Sequence, residues 1–335
     1  MIMKYIDMHC DTLSIGLAQH KETITKLENS MADIDRLYQA GNGAQFFAMF
    51  VPQRDMPKWY GMEEMPEHEV LLQMMSDTFW ETIKENENRM AFAQSYEKMQ
   101  ENLREGKLSA FLTMENGFAV RGKMENLKKF HEMGVGLITL TWNDPNCFGQ
   151  NHSMDRTLMQ MGLTDFGKEA VRYMNELGMI VDVSHLSDGG FYDVAEFSKK
   201  PFVASHSNCR ELSPATRNLT DDMIRVLANK GGVAGINFEP TFLNWNQEDI
   251  HSRVSRMCDH VEHFIKIGGE ECVGIGTDFD GIGGKFEIHD CTKMDLFFEE
   301  LHRRKISDRV IEKIAFSNVA RVIKESMKAS EKCMV

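Results

Sequence analysis

The sequence predicts an α/β protein, a (β/α)8 TIM-type barrel with a metal site at the C-terminal ends of its strands. Three observations lead there. Eight short strand-like runs alternate with helical stretches along the chain. Runs such as Met179-Ile180-Val181-Asp182-Val183 are apolar nearly throughout, as strands buried on both faces should be. Residues with metal-ligand chemistry also gather at the ends of several of these runs, where barrel enzymes carry their sites.

The eight strands are expected at 6–13, 44–51, 110–114, 136–142, 179–185, 202–206, 233–238 and 273–278. Helix signals separate them: Thr164 is placed to cap a helix opening at Asp165, Gly178 to stop it, and Ser307-Asp308 to open the last one. Extra length falls at 52–67, 143–162 and 239–250, each directly after a strand and so on the expected catalytic rim. The 335 residues suit a barrel of about 250 residues plus insertions. With no internal repeat, low-complexity tract or Gly/Ser linker, a single domain is expected over 1–335.

Composition narrows the partners. With 51 acidic against 38 basic residues the net charge is −13, which argues against a nucleic-acid partner or an anionic membrane surface and welcomes cations. Seven cysteines without CxxC spacing read as reduced thiols of a cytoplasmic protein. The start Met1-Ile2-Met3-Lys4 leaves no room for a secretory leader before the first strand, no apolar stretch approaches the ~20 residues of a membrane span, and the tail 331–335 is no lipid-anchor signal. The 25 methionines, scattered along the chain, read as adaptable core filling.

His9-Cys10-Asp11 closes the first apolar run, and strand alternation points His9 and Asp11 to one side. Glu115 ends the run Leu112-Thr113-Met114; buried without a partner it would cost several kcal/mol, so it calls for a cation. A salt bridge to a barrel arginine is the alternative. A glutamate there could bridge two metals about 3.5 to 4 Å apart. His185 and His206 end consecutive strands, which lie about 4.8 Å apart, a workable separation for two ligands of one ion.

Asp278 ends the eighth strand, beside the first in a closed barrel, placed to take a proton from an activated water and return it to a leaving group. Asp11, Glu115, Asp278 and a hydroxide balance two divalent ions better than one. His260 and His263, one helical turn apart beside Asp259 and Glu262, read as a solvated face, and Asp280 as a loop or cap residue. No Gly-x-Ser-x-Gly elbow or nucleophilic cysteine context is present.

These residues resemble the membrane dipeptidase (renal dipeptidase) family, peptidase family M19 of the amidohydrolase superfamily, in its bacterial-type cytoplasmic form. The likeness spans nearly the whole chain: Asp7-Met8-His9-Cys10-Asp11-Thr12, Asp182-Val183-Ser184-His185, Ser205-His206-Ser207-Asn208, Arg217-Asn218-Leu219 and Gly276-Thr277-Asp278-Phe279-Asp280-Gly281. The resemblance implies two zinc ions, one held by His9, Asp11 and Glu115, the other by Glu115, His185 and His206, with no carboxylated lysine. It puts the substrate-carboxylate clamp on Arg217 and the proton shuttle on Asp278.

One position departs: the vertebrate members carry a His at the end of strand four to contact the scissile carbonyl region, and Trp142 stands here, at the substrate. The resemblance further implies a homodimer and a small dipeptide substrate, cleaved by a hydroxide bridging the two metals. The alternatives are another amidohydrolase reaction, such as N-acyl-amino-acid, dehydropeptide or lactam hydrolysis, and a non-catalytic metal-binding barrel.

Overall fold

The computed structural model describes residues 3–330. Its strands are β1 (Ile6–Cys10), β2 (Ala44–Phe50), β3 (Met90–Phe92), β4 (Leu108–Glu115), β5 (Val135–Thr139), β6 (Ile180–Asp182), β7 (Val203–Ala204), β8 (Val233–Ile236), β9 (His251–Ser252), β10 (Val273–Ile275) and β11 (Lys285–Phe286). β1, β2, β4, β5, β6, β7, β8 and β10 pair in parallel, in that order, and β10 returns to β1. The ring is the expected closed eight-stranded barrel with helices between strands.

Three strands lie outside the ring. β3 runs beside the first residues of β4, where β5 has yet to begin pairing. β9 and β11 form a separate two-stranded sheet joining the loops that follow β8 and β10. All are two or three residues long, too short to leave a periodic signal in sequence.

Six expected strands end two or three residues early, and for β6 and β10 buried carboxylates are the reason. Asp182, the last residue of β6, accepts the backbone N–H groups of Ser184 (3.0 Å) and Ser205 (2.8 Å) on its Oδ1. Asp7 Oδ1 accepts from Thr277 N (2.9 Å) in the same way. These side chains take donors that a longer ladder would have used. Beyond them the chain turns: His185 (φ 66°) and Asp278 (φ 62°) adopt the left-handed conformation that non-glycine residues rarely hold and that concentrates at functional sites.

The helix signals hold where they were strongest. Thr164 Oγ1 accepts from Gly167 N (2.9 Å) at the start of helix Asp165–Leu177, and Gly178 ends it at φ 82°. The last helix, Asn318–Ser326, packs Val319, Val322 and Ile323 against Ile6, Phe46, Phe111, Leu137, Val203 and Val233, contributed by six barrel strands. It thereby closes the N-terminal end of the barrel and leaves the C-terminal end for chemistry. Among the described residues no helix is long and apolar enough to cross a membrane, and no disulfide forms.

Candidate active site

At the C-terminal mouth the barrel brings together His9, Asp11, Glu115, His185, His206 and Asp278 from five strands or the turns after them. His9 Nε2 lies 3.4 Å from Asp11 Oδ2, 3.6 Å from Glu115 Oε2 and 3.6 Å from Asp278 Oδ1. On the other side of Glu115, Oε1 lies 3.1 Å from His185 Nε2 and 3.6 Å from His206 Nε2, and those two nitrogens are 3.2 Å apart. Glu115 thus has one oxygen toward each half of the cluster. β1 presents His9 through a bulge: its pairing with β2 slips by one residue between Asp7 and Cys10.

The donor set fits cations. Ligand atoms of His9, Glu115 and His206, and of His9, Asp11 and Asp278, lie close enough to share an ion. His9 Nδ1 and Nε2 and Asp11 Oδ1 are buried without a hydrogen-bond partner, which native proteins avoid unless something else satisfies them. Burial alone would lower the His9 pKa, but the charges of Glu115 and Asp11 reverse this and hold it well above its ordinary value. Burial raises Asp11 and, strongly, Asp278, whereas the neighbouring histidines hold Glu115 well below the usual range despite its burial. Divalent ions would relieve this crowding of negative charge by displacing the proton on His9.

Behind the cluster a set of polar partners fixes each ring. Ser205 Oγ donates to Asp182 Oδ2 (2.5 Å) and accepts from His206 Nδ1 (2.7 Å), which leaves the Nε2 lone pair facing the cluster. Asn143 Oδ1 lies 3.1 Å from His185 Nδ1 and 3.0 Å from His152 Nε2, accepting from both. His152 Nδ1 in turn meets Thr216 Oγ1 (2.9 Å), next to Arg217. Burial and the nearby Arg217 and Arg210 charges lower the His152 pKa to about 4, so it is neutral. Asn237 Nδ2 donates to Asp278 Oδ2 (2.8 Å), leaving Oδ1 toward His9.

Gly281 packs flat against the carboxylates of Asp11 and Asp278. A Cβ there would fall inside contact distance of Asp11 Oδ2 and Asp278 Oδ1, so glycine alone lets the two acids converge.

Beside the cluster lies a cavity of about 220 Å³ lined by Asp11, Glu115, His185 and Asp278 and by residues from all three extended loops. Phe50, Met56, Trp59 and Trp142 form an apolar wall, with Phe50 and Trp142 ring centroids 4.8 Å apart and Trp142 6.3 Å from His185. Glu239, Thr241, Phe242, Gly281 and Ile282 form the opposite side.

Arg217 is buried, 4% exposed, behind His206. Its guanidinium donates to Ser207 Oγ (2.5 Å) and to the His206 carbonyl (3.1 Å), and its Nε–H has no partner. Phe242 covers it at 5.6 Å. No carboxylate pairs with it among the described residues, and burial lowers its pKa to about 10.

One minor expectation changes. His260 is fully buried: its Nδ1 accepts from Cys209 N (3.0 Å) and its Nε2 donates to Leu243 O (3.0 Å). Its charged sequence neighbours lie on another side of the helix, and His263 pairs with Asp221 at 2.6 Å. Asp280 is a buried loop anchor, accepting from Thr12 Oγ1 (2.7 Å) and Met31 N (2.5 Å). Asn143, His152 and Glu239 carry site contacts from loops that no strand-end pattern marks; the local signals were the adjacency of Asn143 to Trp142 and, for Asn237, its place directly after the apolar run of β8.

The barrel and its mouth define a metal-dependent hydrolase of the amidohydrolase type. The membrane dipeptidase family model, peptidase family M19, matches residues 2–334, and the chain belongs to that family of metallo-dipeptidases. An uncharacterized dipeptidase of Schizosaccharomyces pombe is 32% identical over 336 residues, covering 96% of this chain and 80% of the relative. An uncharacterized protein encoded in the pqqA 5' region of Klebsiella pneumoniae is 34% identical over 229 residues, 67% of this chain and 84% of that protein. Among solved structures, the dipeptidase AC of family M19 superposes with a TM-score of 0.88 at 25% identity, over 98% of this chain and all of that one. A metallo peptidase from Rhodobacter sphaeroides, liganded with a phosphinate mimic of L-Ala-D-Ala, superposes with a TM-score of 0.88 at 24% identity, over 97% of this chain and 100% of that one.

Proposed function

We propose that the chain is a zinc dipeptidase that hydrolyses the peptide bond of free dipeptides, with Arg217 receiving the substrate carboxylate and Asp278 moving the proton. Arg217 carries the reading. A buried guanidinium with no directly paired carboxylate is costly, and a carboxylate arriving with the substrate would compensate it. The planar fork has donors to spare after its two contacts, as bidentate capture requires. A free C-terminus held this close to the cluster places the adjacent peptide bond at it, so longer chains would carry their carboxylate past the clamp.

His9, Asp11 and Glu115 would hold one zinc ion and Glu115, His185 and His206 a second. When bound, the pair supplies Lewis acidity to the scissile carbonyl and lowers the pKa of water toward about 7. The protein's own part follows from its contacts. Asp278, oriented by Asn237, accepts the proton of the attacking water on Oδ1 and delivers it to the departing amine. The wall of Phe50, Trp59 and Trp142 shields one side of the substrate from solvent. The dipeptide mimic bound by the Rhodobacter sphaeroides protein is consistent with this substrate class.

The test joins metal analysis of the purified protein to a screen of L,L and L,D dipeptides, tripeptides and N-acyl amino acids. Hydrolysis of dipeptides with little action on tripeptides is expected; preference for N-acyl amino acids moves the assignment to another amidohydrolase reaction. Asp278→Asn should collapse turnover with metal content kept, and unaltered turnover removes Asp278 from the mechanism.

A further inference from the structure

Glu239 follows β8 and caps the short helix Pro240–Leu243. Its Oε1 accepts from Thr241 N (3.4 Å) and Thr241 Oγ1 (3.0 Å), and its Oε2 accepts from Gly283 N (3.1 Å). Donors from two loops therefore hold the carboxylate still in the wall of the cavity that Asp11, Glu115 and Asp278 also line. Those three acids face the metal-ligand cluster. Glu239 has no such role, and it forms no ion pair with a Lys, Arg or His among the described residues.

Capping alone does not explain the longer side chain. The short helices Ile34–Gln39 and Arg156–Met159 are capped by the aspartates Asp33 and Asp155, and longer ones by the neutral Thr164, Ser187 and Thr220. Glutamate places a full negative charge at the edge of the cavity, flanked by Phe242 and Ile282, with lone pairs that the three neutral donors leave free.

We propose that Glu239 is a specificity residue that receives a cationic group of the substrate, an ammonium or guanidinium. This rests on the dipeptidase reading. Phe242, three residues along the same segment, covers Arg217, so a substrate carboxylate held there lies close to the 239–242 segment. A cation of a dipeptide bound in this way comes either from a lysine or arginine side chain or from the N-terminal α-ammonium. Complementary charge fixed at a site edge sorts ligands and weakens with salt.

Glu239→Gln removes the charge and keeps an amide oxygen for Thr241. Three comparisons read its effect: the kcat/KM ratio of Ala-Lys to Ala-norleucine, the same ratio for Lys-Ala to norleucine-Ala, and competitive inhibition by Ala-Ala analogues with and without N-acetylation. A side-chain source predicts that one of the first two ratios falls about 10-fold in the variant. An α-ammonium source predicts that the advantage of the free amine over the acetylated analogue shrinks by a similar factor. Wild-type protein gives an independent check, since any such preference must fall from low to high salt. Glu239→Lys should invert it, favouring Ala-Glu over Ala-Lys.

Unchanged ratios in all three comparisons, with metal content and melting temperature preserved, overturn the role of Glu239 alone. A wild-type preference that ignores salt overturns it as well. Wild-type protein that hydrolyses no dipeptide removes the dipeptidase reading and this inference with it.

Discussion

Ser205 Oγ lies 2.7 Å from His206 Nδ1, and because it spends its own proton on Asp182 it can only accept from that ring. The tautomer of a residue proposed as a metal ligand is thus set one strand away, by a carboxylate buried in the barrel. Ser205→Ala removes the relay without touching the cluster. Metal affinity should fall 10- to 100-fold, as for other losses of a ligand's hydrogen-bond partner. Competition with a chromogenic chelator measures it, and unchanged affinity would show that His206 is held by packing alone.

Gly281 gives a sharper result. An alanine methyl must push Asp11 or Asp278 aside, and overpacking of this sort costs about 1–3 kcal/mol. Gly281→Ala should lower bound metal and turnover together, with the circular dichroism of the barrel retained. Full metal occupancy in the variant would mean that the loop yields instead of the acids.

Arg217→Met should raise KM far more than it lowers kcat, because the group contacts the carboxylate in ground and transition states alike. The loss in kcat/KM should be about 2–3 kcal/mol, roughly 30- to 150-fold. Steady-state kinetics on a dipeptide and on its C-terminal amide distinguishes the outcomes: the amide should be a poor substrate of the wild type and lose little more in the variant.

Loading with metal should stabilise the fold. The protein itself leaves buried atoms of His9 and Asp11 without a hydrogen-bond partner, so ions would bind the native state in preference to the unfolded one. At free zinc about 1,000-fold above Kd, the gain is about 4 kcal/mol. Calorimetric melts with zinc and with chelator check it, and coincident melts would contradict the binding site.

His260 makes stability depend on pH. Burial lowers its folded pKa to about 4 against 6.5 for the free ring, and protonating Nδ1 would break the bond from Cys209 N. Between these values the unfolded chain binds more protons than the native one, so stability rises with pH across the window and is lost on acidification from about 6.5 to 4. The full effect is about 3 kcal/mol. Denaturant titrations at pH 7 and pH 4.5 should show a smaller difference for His260→Gln than for the wild type.

Much of the fold was legible because buried parallel strands are apolar nearly throughout and five of the eight barrel strands end on, or just before, a residue that apolar surroundings cannot explain. His9, Glu115, His185, His206 and Asp278 stood out for that reason, and the structure brings them together with Asp11. Strand lengths were not legible, because a carboxylate such as Asp182 that captures backbone donors looks in sequence like one more strand residue. Asn143, His152 and Glu239 act from loops, where no period marks which side chain turns inward. His260 was misread because Asp259 and Glu262 flank it in sequence while the helix sends it the other way.

The small sheet of β9 and β11 joins the loops after β8 and β10, with Gly283 also donating to Glu239. One jamb of the doorway is therefore braced as a unit. The facing jamb, built on residues 52–67 with Met56 and Trp59, enters no strand. Room for a larger guest has to be made there, and remodelling that stretch is the route to a different diet that leaves the hydrolytic centre alone.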